Sequence, residues 1–320
     1  MPIRFARREF LAGMVAMTAT NAVARFMPSP ESHSPFRVSV INDEISQDFG
    51  RACEVAAHEF GMGWIELRGM WKKNICSLDG KEVAEARRIL EKYQLKVTDI
   101  ASPLFKVDFP GAPKSKFSES KSFGADFNWK QQDEVLDRAI EMAKAFQTDR
   151  VRCFDFWRLE DQAPYRSAIN DKLRDAAGKA AKQGIILVLE NESACNTATG
   201  AEAAKVLSAV QNPSFMLNWD PGNAAAAGET PYPDGYNLLP KGRIGHCHCK
   251  DAVKKGKKYD WAPMGGGIID WAGQFKALKR DGYHFAVSLE THWSGGGTPE
   301  QCSHQSWAGM KKLLEQADAS

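Results

Sequence analysis

The sequence predicts an α/β protein folded as a single-domain (β/α)8 TIM barrel. Three observations carry that expectation. Eight short β-forming runs recur along a chain of 320 residues. Amphipathic helical stretches separate them, as βα units require. No Gly-x-Gly-x-x-Gly fingerprint opens the first unit, as a dinucleotide-binding open sheet would have. The length suits one large barrel or two ordinary domains, with ample chain for a core.

The strand candidates are 37–41 (RVSVI), 64–68 (WIELR), 96–101 (KVTDIA), 150–155 (RVRCFD), 185–190 (IILVLE), 215–220 (FMLNWD), 243–248 (RIGHCH) and 285–290 (FAVSLE). Helical patterns lie between them. In DEVLDRAIEMAKAFQ, the residues Leu136, Ala139, Ile140, Ala143 and Phe146 fall on one helical face. EVAEARRILEKYQ behaves similarly, as does DKLRDAAGKAAKQG, which closes on Gly184 as a helix stop. Four long segments, 102–131, 221–240, 249–270 and 291–304, follow strands and are rich in Gly, Pro and aromatic residues. They suit lids and substrate walls at the face where barrel strands end.

Residues 1–24 read as an export signal. Arg4, Arg7 and Arg8 precede a weakly apolar run from Leu11 to Ala24, which ends in Ala22-Val23-Ala24. The run is too short and too polar for a membrane span. RREFL resembles the twin-arginine signal, so a periplasmic or secreted protein exported already folded is expected, with no stable membrane anchor. Residues 25–36, with PSPESHSP, form a linker. The barrel is expected over 37–316.

Lys plus Arg number 42 and Asp plus Glu 40, a net charge of +2 that gives no reason to expect a nucleic acid partner. The seven cysteines are odd in number and irregularly spaced, so they read as buried small hydrophobes, not a disulfide framework. Assembly into a homo-oligomer is left open.

GHCHCKD (245–251) alternates histidine and cysteine. On a strand, alternate residues face opposite sides, so His246 and His248 share the barrel face while Cys247 and Cys249 face the helices. A four-ligand zinc knuckle, which needs all four converging, is thereby excluded. Three other strand candidates end in acids: Glu190, Asp220 and Glu290. Each terminates an apolar run, where a lone buried charge is costly. Three acids and a histidine at one barrel level call for a cation. This mostly hard set suits one divalent metal ion, Mn, Mg or Co, with Zn also admissible.

LVLENE (187–192), LNWDPGN (217–223), HCHCKD (246–251), GGGIIDWAGQFKALKRDGY (265–283) and VSLETHW (287–293) together resemble the xylose isomerase-like TIM barrel superfamily of sugar phosphate isomerases and epimerases. The resemblance runs from about residue 37 to 315. It implies that Glu190, Asp220, His248 and Glu290 hold the metal. It prefers His248 to His246, which would sit one layer deeper. It also implies proton abstraction beside the carbonyl of a small carbohydrate or polyol, with Glu190 and Glu290 as the two catalytic carboxylates on opposite sides of the metal. The ketose 3-epimerases carry a substrate-touching histidine three residues past the strand-6 acid. Here that position is Asn223, which can hydrogen-bond but not transfer a proton near neutral pH.

Further substrate-contact candidates are Glu66 and Arg68, which share a face at the end of the second strand and otherwise form an ion pair. Lys250 and Asp251 either orient the metal shell or form a surface pair. Lys106 follows the third strand. Trp129, Trp261 and Trp293 lie in loops where they could stack on a sugar or simply pack. Gly265-Gly266-Gly267 lacks the Lys-Ser/Thr of a phosphate loop and reads as a turn before the last helix. The expected function is a metal-dependent sugar isomerase or epimerase. A keto-glycoside lyase on the same site is the alternative, since a leaving group one carbon further on would be eliminated. An endonuclease IV-like phosphodiesterase would need more histidines at strand ends, and a non-catalytic sugar-binding barrel would not need the four-ligand set.

Overall fold

The computed structural model describes residues 34–118, 127–256 and 258–319. Residues 1–24, expected to be an export signal, and most of those expected to be a linker lie outside the described residues. Eight strands form one parallel sheet: β1 (Arg37–Val40), β2 (Trp64–Leu67), β3 (Lys96–Leu104), β4 (Arg150–Cys153), β5 (Ile186–Glu190), β6 (Phe215–Trp219), β7 (Ile244–Cys249) and β8 (Ala286–Leu289). Each pairs with its chain neighbours. β8 pairs with β1, and the bridge Ile41↔Glu66 closes the ring between β1 and β2. This is the (β/α)8 barrel the alternating pattern predicts, with strand bounds within a few residues of expectation.

Period-2 alternation sorts the strand residues into two shells. Leu67, Ile100, Val151 and Leu187 are successive partners across β2 to β5, and Leu289 partners both Val40 and Cys249. All are buried in the main hydrophobic cluster together with helix residues. Each buried Leu or Val in this layer contributes about 2 kcal/mol. The intervening positions are polar: Ser39, Ser288 and His248 are successive partners, as are Glu190, Asn218 and His246.

The expected helices form at Gly80–Tyr93, Gln132–Ala145 and Arg166–Ala181. Asp79 and Glu82 make a reciprocal capping box at the start of the first. Gly184 takes φ +75° just past the third, as the helix stop requires. The four long segments that follow strands are partly structured: 102–131 holds the end of β3 and a helical turn at Trp129–Gln131, and 291–304 holds the start of a helix at Pro299. Residues 221–240 contain a helix at Pro221–Ala226, capped by Asp220. Residues 249–270 contain an antiparallel hairpin of Asp251–Lys255 with Lys258–Ala262. The glycine turn at 265–267 precedes Trp271–Arg280, which is not the last helix; Pro299–Asp318 follows. No helix among the described residues is long and apolar enough to cross a membrane.

Candidate active site at the strand ends

β5 ends in Glu190, and Asp220 and Glu290 directly follow β6 and β8, while His248 lies near the end of β7. Their ligating atoms all lie within 4.8 Å of one another, and all four residues are buried. His248 Nδ1 is 3.3 Å from Glu190 Oε1, 3.3 Å from Glu290 Oε2 and 3.8 Å from Asp220 Oδ2. Its other nitrogen, Nε2, is 3.0 Å from Glu66 Oε1, while Glu66 Oε2 is 2.9 Å from Nε2 of His246. One carboxylate from β2 therefore orients both imidazoles and turns His248 Nδ1 toward the acids. Three carboxylates and one imidazole converging on a point, with the imidazole held from behind, fit a divalent ion, so this cluster could hold one.

Positive side chains surround these acids. Lys250 Nζ is 2.7 Å from Asp220 Oδ2 and 2.5 Å from Glu290 Oε2. Arg152 Nη1 is 3.0 Å from Glu190 Oε2, and Arg68 Nη1 is 2.9 Å from Glu290 Oε1. Such compensation is what permits several charges to share a buried space. Burial alone would raise Glu190, but the His248 and Arg152 charges hold it down to about 2. Burial would likewise raise Glu290, yet His292, Lys250 and His248 keep it well below the usual carboxylate range. For Asp220 burial wins over Lys250 and lifts the carboxyl to about 6. Burial would lower His248, but Glu66, Glu190 and Glu290 raise it well above an ordinary histidine.

Local backbone chemistry explains these placements. Asp220 divides its carboxylate: Oδ1 accepts the Asn223 N–H at 2.8 Å and caps the short helix, leaving Oδ2 for the cluster. A Cβ at Gly222 would come within 2.5 Å of Lys250 Cγ, so a glycine there makes room for the lysine stem. Phe105, Phe156 and His292, just beyond β3, β4 and β8, have positive φ values of 65°, 70° and 44°. Non-glycine residues in this region carry strain, and such strain gathers at functional loops.

The remaining candidates separate. Glu66 and Arg68 do not form the ion pair that stood as the alternative to substrate contact: Glu66 takes the two histidines, whereas Arg68 binds Asp43, Glu44 and Glu290. Their side chains are drawn to different carboxylate and imidazole partners, which are nearer than either is to the other's charge. Lys250 and Asp251 are both buried, so neither belongs to a surface pair. Asp251 accepts backbone N–H groups from Ala252, Gly265, Gly267 and Ile269. It organises the glycine turn, where a Cβ at Gly267 would collide with its carboxylate. Asn223 donates to Asn191 O at 2.9 Å, Asp220 Oδ2 at 3.1 Å and Glu190 Oε1 at 3.3 Å. Lys106 sits 3.4 Å from Glu192. Trp261, at the base of the hairpin, lies 5.1 Å from Lys250 Nζ and 5.5 Å from the His292 ring. Trp129 packs with Phe109 and Phe156, and Trp293 walls the Gly295-Gly296 turn. Cys247 and Cys249 lie in the hydrophobic cluster, outside the ligand groups, and all seven cysteines are buried and free.

Sequence reasoning missed Asp43, Glu44, Arg152, Glu192 and His292. His292 Nε2 is 3.3 Å from Glu290 Oε1 and 3.4 Å from Glu44 Oε1, and Glu44 Oε2 accepts the His292 backbone N–H at 2.9 Å. Glu192 and His292 each stand two residues past a strand-end glutamate, so the period-2 argument could have found both. His58, His284 and His304 lie elsewhere, packed on Tyr93, Phe285 and Phe60.

The chain belongs to the xylose isomerase-like TIM barrel family, whose model matches residues 55–313. Among solved structures, it is similar to a probable 3-DHS dehydratase, AsbF, involved in petrobactin synthesis in Bacillus anthracis, at 19% identity and a TM-score of 0.65, covering 87% of this chain and 98% of that one. It is also similar to an IolI protein with a binding zinc atom, at 15% identity and a TM-score of 0.67, covering 87% and 98% of the two chains. A D-tagatose 3-epimerase-like protein aligns at 17% identity and a TM-score of 0.63, covering 88% and 98%. No curated protein sequence matches the chain.

Proposed function

We propose that the protein is a divalent-metal-dependent sugar isomerase or epimerase that removes a proton beside the carbonyl of a carbohydrate or polyol. The observation that carries this reading is the convergence of Glu190 and Glu290, from non-adjacent strands, each 3.3 Å from His248 Nδ1. An ion held by Glu190, Asp220, His248 and Glu290 would polarise the substrate carbonyl and offset negative charge developing there. Mn, Mg, Co and Zn all suit the donor set. Both glutamates are held in the ionised form at neutral pH, so each is in the accepting state. Approaching from two strands, one carboxylate can take the proton, and the other, once protonated from water, can deliver a proton to the opposite face. His292, 31% exposed and 3.3 Å from Glu290, joins that carboxylate to the loop side of the site.

A lyase reading also has a specific observation in its favour. The position where ketose 3-epimerases carry a histidine is Asn223, and its amide is occupied by Asn191, Asp220 and Glu190. Elimination from a keto-glycoside needs the same first proton transfer, after which the aglycone is expelled instead of a proton being delivered to the opposite face. The names of the similar structures, a dehydratase and an epimerase-like protein, span both outcomes. Metal-loaded protein should be offered a panel of ketoses and keto-glycosides, with products identified by NMR. An epimer supports the first reading, and a free aglycone with an unsaturated keto sugar the second. Phosphodiester cleavage with neither product rejects both.

Residues 1–24 are read with this function as a twin-arginine export signal, which would bring the enzyme to periplasmic or external glycosides. Replacing Arg7 and Arg8 by lysine should leave precursor in the cytoplasm; unimpaired export would reject that route.

A further inference from the structure

We propose, resting on that reading, that Lys106 and Glu192 form a second arm of the site, which grips a vicinal diol of an uncharged sugar, and that the chamber excludes phosphorylated and carboxylated substrates.

The arm is built on two strands. Lys106 follows β3 and Glu192 follows β5, two residues beyond Glu190. Nζ and Oε2 are 3.4 Å apart, and the side chains are 13% and 16% exposed. The converging acids Glu190, Asp220 and Glu290 are only 0–3% exposed, so a ligand reaches the arm more readily than the cluster below it. Lys106 Nζ lies 4.4 Å from the Phe154 ring centroid, and the Arg152 guanidinium lies 4.8 Å from that same ring. Arg152 in turn holds Glu190. Lys106 is therefore one aromatic side chain away from the cation that fixes a reacting-centre carboxylate.

The chemistry of the arm matches adjacent hydroxyls. An ammonium has three N–H donors, and Lys106 directs one at Glu192 over a long 3.4 Å contact. Glu192 Oε1 is occupied by Ser193 Oγ at 3.3 Å and Ala194 N at 3.4 Å, while Oε2 faces the lysine. A donor-only group beside an acceptor-only group complements a diol, because each hydroxyl both donates and accepts.

Charge narrows the ligand further. Four cations, Arg68, Lys106, Arg152 and Lys250, stand among seven carboxylates, Asp43, Glu44, Glu66, Glu190, Glu192, Asp220 and Glu290. Each of these cations already has a carboxylate within 3.4 Å. The seven carboxylates outnumber the four cations, and a divalent ion would add only two positive charges. A phosphate or carboxylate on the substrate meets repulsion there and finds none of the four cations unpaired.

The test reads binding without turnover. Metal-loaded protein is titrated calorimetrically with a linear pentitol and with its terminal phosphate ester. The same is done for Lys106→Met and Glu192→Gln, with metal content and melting temperature measured for each. The pentitol should bind at least tenfold more tightly than its phosphate ester. Each variant should lose about tenfold in pentitol affinity, the scale of one charge-assisted hydrogen bond, while keeping its metal. Glu192→Gln, which uncovers the lysine charge, should narrow the preference against phosphate, an effect a general loss of structure cannot produce. Equal or tighter binding of the phosphate ester, unchanged pentitol affinity in both variants, or no pentitol binding by the native chain would overturn the proposal. Pentitol binding through this arm by a protein that exchanges no carbon-bound proton would sink the catalytic reading and leave the arm standing.

Discussion

Glu66 Oε1 stands 3.0 Å from Nε2 of His248, and its other oxygen stands 2.9 Å from Nε2 of His246. The carboxylate is buried, and burial alone would raise its pKa, but the His248 and His246 charges and hydrogen bonds hold it well below the usual range. It thus fixes which nitrogen of His248 faces Glu190, Asp220 and Glu290. Glu66→Gln keeps the shape but leaves one acceptor oxygen for two imidazoles. Divalent-metal affinity should fall about 10- to 100-fold, measured by competition with a chelator. Unchanged affinity would mean the pair does not set the ring orientation.

Purified protein should hold one divalent ion per chain by elemental analysis, because the four donor groups form one convergent set. His248→Ala removes the nitrogen facing all three acids, and Glu190→Gln replaces an anionic oxygen. Either variant should lose the ion. Full activity in native protein stripped of metal would contradict this expectation.

Replacing Cys247 and Cys249 together by alanine should leave the metal content unchanged. Both are buried in the hydrophobic cluster on the helix side of β7. Stability should drop on the order of 1 kcal/mol for each lost sulfur contact, read by denaturant unfolding. Loss of metal from a protein that still melts cooperatively would place those side chains on the other face.

Away from the site, Arg158 grips Glu202 with two contacts, Nη1 to Oε2 at 3.2 Å and Nη2 to Oε1 at 2.6 Å. Burial works to raise the Glu202 carboxyl, but Arg158 and the Ala198 and Thr199 environment lower it. A depressed carboxylate stabilises the fold above its unfolded pKa, and that contribution is lost as pH falls through the folded value. Glu202→Gln should therefore cost about 1 kcal/mol at pH 7, and the difference should shrink on acidification below pH of about 4. A gap in stability that persists or grows at low pH would refute the charge-based account.

The barrel was legible because each strand combines β-forming residues with a helix on either side, a pattern written locally. The core of the site was legible for the same reason. Glu190, Asp220 and Glu290 each end an apolar run, and the alternation of His246 and His248 with two cysteines assigns faces without knowledge of the fold. The partners of these residues were not. Arg152 lies within a short strand and Glu44 in a four-residue helix after β1, and neither sits in a pattern that points to β5 or β8. Their contacts depend on how strands close into a ring. Glu66 and Arg68 invited a pairing that distant carboxylates and imidazoles outcompete. The hairpin after β7 was read as loop because its tip, Lys254 and Lys255 on one strand and Lys258 on the other, is exposed and charged. Only its root is buried, so no hydrophobic alternation announces it.

The central claim, that this site removes a carbon-bound proton beside a carbonyl, is tested most directly by isotope exchange. Metal-loaded protein is incubated in D₂O with a ketose or keto-glycoside that it converts, and the deuterium is located by NMR. The account predicts deuterium on the carbon next to the carbonyl of the recovered epimer, or an unsaturated keto sugar released together with its aglycone. An epimer recovered with its original proton retained would indicate hydride transfer and contradict the account.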